Sequence, residues 1–157
     1  MQYKPTSLYQ RGMKILCCLE GGEWRRTGTA ITYGPSTELG GHYALEFIHE
    51  FDQTNTSTYF CYGYPYGYSQ HLTAFLQGLI PPKRTHPLLK PHTLCLTAAG
   101  NALPILHINA SPTTPKPIIF IIARQHPGES PASFVAEGLI RLLLSATLEA
   151  KELRERY

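Results

Sequence analysis

A histidine and a glutamate three residues apart form the pair with the clearest chemical meaning in this sequence. His126 and Glu129 lie in the segment 124–130, RQHPGES, on either side of a Pro-Gly dipeptide. Proline fixes φ and glycine admits conformations that other residues resist, so we expect a turn in which the two side chains converge. Imidazole nitrogen and carboxylate oxygen both bind zinc at about 2.0–2.2 Å, and a His/Glu/His set with an open fourth position is a hydrolytic zinc site. We therefore predict that His126 and Glu129 are ligands of one zinc ion.

The spacing by itself is a weak signal, because the sequence has 7 histidines and the pattern occurs twice more. His49-x-x-Asp52 lies in a predicted strand, and His92-x-x-Cys95 lies where a linker meets a strand. We consider both to be weaker metal candidates. For residues 126–129 the alternative is a polar turn that only caps the next helix. The position of this turn between a predicted strand and a predicted helix favours the metal site.

Two elements must position this turn, a strand before it and a helix after it. Residues 118–123, IIFIIA, are apolar without alternation, which predicts a strand covered on both faces inside an α/β sheet. Loops at the carboxyl ends of such strands carry the sites of open α/β folds. Ser130 and Pro131 predict a helix start, with serine as the N-cap and proline at the first helical position. The predicted buried stripe of this helix comprises Phe134, Val135, Gly138, Leu139, Leu142 and Leu143.

The first half of the chain has the pattern of β structure. Short runs rich in aromatic and β-branched residues, separated by turn residues, predict antiparallel strands and most simply a β-sandwich. A hairpin is predicted around Ala99-Gly100-Asn101, and the proline-rich segment 80–91 predicts a linker. The predicted strands are 23–33, 42–52, 58–62, 93–98 and 102–109, and the further helices are 70–79, capped by Ser69, and a charged tail at 149–157.

These elements place the chain in the α/β class with two domains. We predict an N-terminal antiparallel β-sandwich-like module with a closing helix and linker at residues 1–86. Residues 87–157 are predicted to form the first strands and helix of an α/β domain. One buried strand and one helix leave at least one side of that strand unpaired, and the sandwich is short of strands. We therefore expect both domains to be incomplete and the chain to be a fragment or a truncated gene product.

Composition excludes several classes of function. Hydrophobic residues make up 43% and charged residues 16% of the 157 residues, which supports a packed core and argues against disorder. A net charge of +3 with scattered basic residues indicates no nucleic-acid partner. The absence of an apolar run of about 20 residues and of a signal-peptide pattern predicts no membrane partner. Asp52 is the only aspartate, which argues against a site built on paired aspartates.

The cysteines indicate the compartment. The sequence has 4 cysteines without CxxC spacing and without a secretory context. We expect reduced thiols, two of them in the core, in a cytoplasmic protein.

Three segments resemble parts of the metallocarboxypeptidases, in particular of the cytosolic carboxypeptidase subfamily. KPIIFIIARQHPGESPASFVAEGLIRLLLS resembles the first zinc-binding segment of that family, and HPGES is its most specific part. FCYGYPYGYSQHL is similar to the aromatic segment that closes the subfamily's β-sandwich domain. TLCLTAAGNALPILHIN is similar to the hairpin that opens its catalytic domain. The segments occur in the family's order and together extend from about residue 24 to about residue 144.

The resemblance implies an N-terminal β-sandwich and an α/β catalytic domain that holds one zinc ion. His126 and Glu129 match two of the family's three protein ligands. The third ligand, the general base and the residues that hold the substrate carboxylate lie downstream in the family and match no position here, so no catalytic residue is assigned in this chain. Members of the subfamily remove glutamates from protein C-termini or side chains, tubulin above all. The implied partner is therefore a protein or peptide C-terminus, with tubulin tails as one candidate.

Two hypotheses of function follow. In the first, the chain is the front part of a zinc-dependent metallocarboxypeptidase and is inactive when alone. In the second, it is a truncated, non-catalytic paralogue whose β module acts as a binding element.

The roles of Arg124 and of four tyrosines each have two possible interpretations. Arg124 either supports the metal loop or contacts an acidic substrate, or else forms a structural salt bridge. Four tyrosines either form a recognition surface or pack a domain interface. They are Tyr62, Tyr64, Tyr66 and Tyr68.

Overall fold

The polypeptide divides between Pro65 and Tyr66 into two units, Met1–Pro65 and Tyr66–Tyr157. A computed structural model describes residues 4–51, 57–80, 86–110 and 115–157 of the chain. The helix predicted to close the β module falls in the second of these units. The assignment of domains to residues 1–86 and 87–157 stays a prediction.

The centre of the first unit is a strand that the sequence analysis missed. Strand β1, Ile15–Leu19, lies in the middle of a three-stranded antiparallel sheet, between β2, Arg25–Thr27, and β5, Thr58–Cys61. Its residues 15–18 are all buried. Cys17 and Cys18 are among them, which confirms that two of the cysteines are core thiols. A run of five residues, ILCCL, is too short to show periodicity, and its burial is decided by the two strands beside it.

A second antiparallel sheet completes the first unit. Strands β3, Thr29–Pro35, and β4, Tyr43–Ile48, pair with each other. The ring centroids of Phe47 on β4 and Phe60 on β5 lie 5.3 Å apart in an edge-to-face arrangement. This contact joins the two sheets through aromatic packing.

Gly28 separates β2 from β3, so the single strand predicted over 23–33 is two strands. Its φ of +100° is in the region that favours glycine. A Cβ at this position would also meet the side chains of Ile15 and Ile31 at 3.5 Å. The chain therefore turns here from one sheet into the other.

The second unit begins with a helix whose start differs from the prediction. A π-helical turn, Tyr68–Thr73, leads into helix α1, Ala74–Leu79. The N-cap residue is Gly67, so Ser69 lies inside the turn and its predicted capping role is wrong. Phe75 of α1 is buried.

The hairpin around Gly100 is confirmed. Strands β6, Leu89–Leu96, and β7, Ala102–Ile108, pair antiparallel. Gly100, with φ of +77°, lies in the connecting turn, and its N–H donates to the carbonyl of Thr97 at 2.9 Å.

Residues 118–123 do not form the predicted strand. They have no regular secondary structure, and their side chains are exposed, Ile118 by 89% and Phe120 by 69%. A strand covered on both faces needs neighbours in its sheet and layers above it. Among the described residues no strand pairs with this segment, so the predicted burial is wrong for the chain as it stands.

Hydrogen bonds nevertheless anchor the chain immediately before and after this segment. Before it, Lys116 Nζ donates to the carbonyl of Arg154 at 2.6 Å. After it, Arg124 donates hydrogen bonds to Pro127 and Tyr66. The apolar residues therefore lie between two polar attachments to the second unit.

Two helices end the chain, as predicted. Helix α2, Ser130–Leu144, and helix α3, Leu148–Arg156, meet at a bend of 90°. The guanidinium of Arg154 donates to the carbonyls of Leu143 and Ser145 and so caps the end of α2. No single helix in the described ranges is long and apolar enough to cross a membrane; α2 and α3 pass that test only when counted together across their bend.

The start and the stripe of α2 differ in detail from the prediction. Glu129 is the N-cap residue, and Ser130 is already helical and buried. The predicted stripe is only partly covered, since Phe134, Val135 and Leu142 are exposed by 40%, 70% and 44%.

The exposed apolar side chains predict dye binding or poor solubility. We expect the chain to bind an environment-sensitive hydrophobic dye, because residues 118–122 and part of α2 present apolar surface to water. The double variant Ile118→Lys, Phe120→Lys should lower the dye fluorescence. A matched variant, Thr29→Lys with Thr32→Lys, adds the same charge at exposed polar positions and should leave it unchanged. A soluble monomer that binds no dye and melts in one sharp transition would contradict the prediction.

Candidate metal site

His126 and Glu129 lie at the two ends of a hydrogen-bonded turn. The N–H of Glu129 donates to the carbonyl of His126 at 3.1 Å, and Pro127 and Gly128 form the turn between them. The N–H of Ala132 donates to the carbonyl of Glu129 at 3.0 Å, which attaches the turn to the first turn of α2. The predicted turn is present, and its hydrogen bond joins the backbones of the two residues.

Both side chains of the pair face water and are available to a ligand. His126 and Glu129 are exposed. In residues 4–51, 57–80, 86–110 and 115–157, no hydrogen bond or ion pair engages either the imidazole or the carboxylate. Their chemistry fits a metal such as zinc, for which nitrogen and carboxylate oxygen are ordinary ligands.

In the described part of the chain, no third side chain joins these two candidate ligands to form a metal site. No group of three or more His, Cys, Asp or Glu side chains there is placed to hold a metal ion. A metal held by the turn would therefore take its other ligands from water or from outside the described residues.

In this loop the residue with a left-handed backbone conformation is Arg124, not Gly128. Arg124 has φ of +61°, a conformation that costs a residue with a Cβ of the order of 1–3 kcal/mol. Gly128 is outside that region, and a Cβ built on it meets no atom within 4 Å. The conformational freedom expected from the Pro-Gly pair is thus not what shapes this loop.

The guanidinium of Arg124 makes three hydrogen bonds to neutral oxygens. Nε donates to the carbonyl of Pro127 at 2.8 Å. Nη1 donates to the carbonyl of Tyr66 at 3.3 Å and to Ser133 Oγ at 3.5 Å. These contacts favour the interpretation that Arg124 supports the loop over that of a structural salt bridge.

Tyr66 links the loop to the middle of α2. Its hydroxyl donates to Glu137 Oε1 at 2.6 Å, and its ring lies 5.1 Å from the rings of Phe134 and His71. Burial, and then the hydrogen bond to Glu137, raise the pKa of the Tyr66 phenol above its ordinary value. Tyr66 therefore packs within the second unit, and the interpretation of the four tyrosines as a domain interface stays a prediction.

Glu137, which accepts the hydrogen bond from Tyr66, was not singled out from the sequence. A signal was present, because Glu137 is three residues after Phe134 and so lies on the same helical face. A carboxylate beside an apolar stripe needs a donor when it is partly buried. Tyr66 supplies one, and Arg141 Nη2 lies 3.8 Å from Glu137 Oε2.

The two weaker histidine pairs gain no support as metal sites. The His49 ring packs edge-to-face with Phe51 at 4.8 Å and with Phe60 at 4.9 Å. Its candidate partner, Asp52, lies outside the described residues. His92 and Cys95 are both exposed on β6.

Comparison with solved structures defines the class of fold. A crystal structure of a metallo-carboxypeptidase from Burkholderia cenocepacia superposes on 94% of this chain and 37% of its own, with a TM-score of 0.68 and 24% identity. The fold is therefore that of part of a metallo-carboxypeptidase, with mixed helices and antiparallel sheets, which confirms the predicted α/β class. No family model matches the sequence.

Curated relatives narrow the class further. The chain is 33% identical over 168 residues to cytosolic carboxypeptidase 2 of Xenopus tropicalis, covering 98% of this chain and 17% of that protein. It is 31% identical over 181 residues to cytosolic carboxypeptidase 1 of Danio rerio, and 30% identical over 167 residues to cytosolic carboxypeptidase 3 of Bos taurus. This chain is a homologue of the cytosolic carboxypeptidases, as its segments predicted. It spans about a sixth of the length of these relatives.

Removal of the Tyr66 hydroxyl should destabilise the fold in a pH-dependent way. At neutral pH we expect Tyr66→Phe to lower the free energy of unfolding by about 1–2 kcal/mol, because Glu137 loses a donor. The folded-state pKa of Tyr66 is raised above its ordinary value of about 10, so this contribution is complete below pH 10 and is lost as the pH rises above it. The difference between wild type and variant should therefore narrow at alkaline pH in urea unfolding.

Tyr59→Phe is the matched control for this experiment. Tyr59 is 50% exposed, and its loss should leave the free energy of unfolding within about 0.5 kcal/mol of wild type. A difference between wild type and Tyr66→Phe that stays constant above pH 10 would show that the hydroxyl is not buried against Glu137.

Proposed function

We propose that this chain is part of a zinc-dependent cytosolic carboxypeptidase and contributes two of the zinc ligands, His126 and Glu129. The observation that carries the proposal is the turn itself. A histidine and a glutamate, whose side chains make no hydrogen bond or ion pair with the residues that the structure describes, lie at its two ends, directly before a helix, in a chain homologous to carboxypeptidases along 98% of its length. The proposed activity is hydrolysis, and the proposed cofactor is one zinc ion.

The roles of the two residues follow from their chemistry. Zinc in such a site acts as a Lewis acid and lowers the pKa of a coordinated water to about 7. The neutral imidazole of His126 and the carboxylate of Glu129 are the forms that bind metal. Since Glu129 is the N-cap residue of α2, the helix fixes the backbone from which its carboxylate projects.

Glu129 does not serve as the general base in this proposal, because a carboxylate that binds the metal is committed to it. The family places the base and the third ligand in a part of the protein that matches no residue of this chain. The proposed role of the chain is therefore to supply two of the three protein ligands of the metal rather than to complete the reaction.

The proposed substrate is the C-terminus of a protein or peptide, acted on in the cytoplasm. The names of the relatives support a carboxypeptidase that acts in the cytosol. Release of glutamate, with tubulin tails as a candidate target, is the finer proposal and rests on the resemblance to the subfamily. No nucleic-acid or membrane partner is proposed.

Zinc binding by the chain should depend on both residues of the turn. We expect His126→Ala and Glu129→Gln each to weaken zinc affinity by about tenfold or more in calorimetric titration, because each removes one of two ligands. His92→Ala is the matched control, since His92 is an exposed histidine with a cysteine three residues later. The zinc affinity of His92→Ala should equal that of wild type.

Unchanged affinity in His126→Ala would remove the metal assignment and favour the second hypothesis, a β module that acts by binding. A loss in His92→Ala as large as that in His126→Ala would show that zinc binds to exposed histidines without regard to the turn.

The chain alone should have no carboxypeptidase activity. Two ligands hold the metal weakly, and loss of general acid–base help alone costs about 10²–10⁴ in rate. The assay is release of glutamate from a peptide with a polyglutamate tail, with added zinc and with a chelator as control. Chelator-sensitive turnover that is abolished in Glu129→Gln would contradict this and would require a base within these residues.

A further inference from the structure

Arg124 occupies a conformation that its own side chain must stabilise. Among the described residues, only Ala30 and Arg124 have a positive φ without being glycine. At such a position glycine would adopt the backbone without strain. A large side chain there therefore indicates that its contacts outweigh the strain of the backbone.

The shortest of those contacts reaches the carbonyl of Pro127, a residue between the two candidate ligands. Pro127 has no N–H, so its carbonyl is the only polar group of its backbone, and Arg124 Nε donates to it at 2.8 Å. The hydrogen bond crosses the loop from Arg124 to Pro127, the residue that follows His126. It holds the backbone of the turn at its midpoint.

The same guanidinium connects the turn to the scaffold around it. Nη1 donates to the carbonyl of Tyr66 and to Ser133 Oγ on α2. The hydroxyl of Tyr66 in turn donates a hydrogen bond to Glu137, which lies one helical turn beyond Ser133. The turn is thus attached to a helix and to a half-buried tyrosine through one planar group with several donors, which a lysine cannot replace.

We propose that Arg124 is a positioning residue, which holds the turn in the conformation that binds metal before the metal arrives. This inference rests on the proposed role of His126 and Glu129 as ligands. Groups that orient metal ligands without touching the metal change its affinity by about 10–100-fold when they are removed. The freedom of Gly128 has no part in it, because that residue has an ordinary φ and room for a Cβ.

The test compares four variants of the loop in the 157-residue chain. Arg124→Ala keeps the strain and loses the guanidinium, Arg124→Gly relieves the strain and loses the guanidinium, and Arg124→Lys keeps only the charge. Gly128→Ala is the matched control within the loop, and Arg156→Ala controls for loss of a positive charge. Zinc affinity is measured by calorimetry, and exchange of the Glu129 amide proton is measured by NMR without metal.

We expect all three Arg124 variants to bind zinc about tenfold more weakly or worse. Their Glu129 amide should exchange faster than in wild type, because its hydrogen bond to the carbonyl of His126 opens more often. Methylguanidinium, added at a non-denaturing concentration, should restore part of the affinity of Arg124→Gly. Gly128→Ala and Arg156→Ala should behave as wild type in both measurements.

Wild-type zinc affinity in Arg124→Gly would overturn the inference, because the backbone conformation alone would then suffice. Loss of zinc affinity together with loss of cooperative unfolding in all three variants, with no restoration by methylguanidinium, would also overturn it in favour of a general structural role. Failure of the proposed function has a different signature. In that case His126→Ala binds zinc as wild type does, while exchange of the Glu129 amide still depends on Arg124.

Discussion

The hydrogen bond from Arg124 Nε to the carbonyl of Pro127 is the contact on which the candidate site depends. It crosses the loop that carries His126 and Glu129 and fixes the midpoint of their turn. Through Tyr66 and Ser133 the same side chain joins this loop to the rest of the second unit. A functional loop gains its geometry from the rigid elements that hold it. Here the guanidinium of Arg124 makes hydrogen bonds to two such residues outside the loop, Tyr66 and Ser133.

Helix α2 is the element to which these attachments lead. Glu129 is its N-cap residue, Ser133 lies in its first turn, and Glu137 one turn later accepts a hydrogen bond from the hydroxyl of Tyr66. At its far end Arg154 of α3 donates to the last carbonyls. The last carbonyls of the helix are thus satisfied by the following helix, whereas its N-cap residue, Glu129, makes no side-chain capping hydrogen bond. Much of the apolar stripe of the helix is exposed.

The exposed segment 118–123 shows where this chain differs from a self-sufficient α/β domain. Lys116 and Arg124 tie the chain on either side of it, but the apolar side chains between them have no sheet to enter among the described residues. The chain spans about a sixth of the length of its cytosolic carboxypeptidase relatives. An apolar run of this kind is stable as a strand only when neighbouring strands and helices cover it, so its state depends on protein outside this segment.

Features set by local chemistry followed from the sequence alone. The hairpin around Gly100, helix α2 with a proline in its first turn, and the turn between His126 and Glu129 all depend on residues within a few positions of one another. The three segments that resemble the carboxypeptidases were also found from the sequence, and the homology confirms them. The two candidate ligands themselves remain a prediction from that resemblance and from their spacing.

Features that depend on distant contacts were decided only by the tertiary structure. The burial of β1 comes from strands on both sides of it, and the exposure of residues 118–123 comes from the lack of such neighbours in the part of the chain that the structure describes. Arg124 meets Tyr66 across 58 residues, and Tyr66 meets Glu137 across 71. No periodicity or local propensity encodes such pairs, because the free energy of a hydrogen bond between distant residues depends on the fold that brings them together. For that reason the sequence determined which residues form the turn, and the tertiary structure determined what holds it.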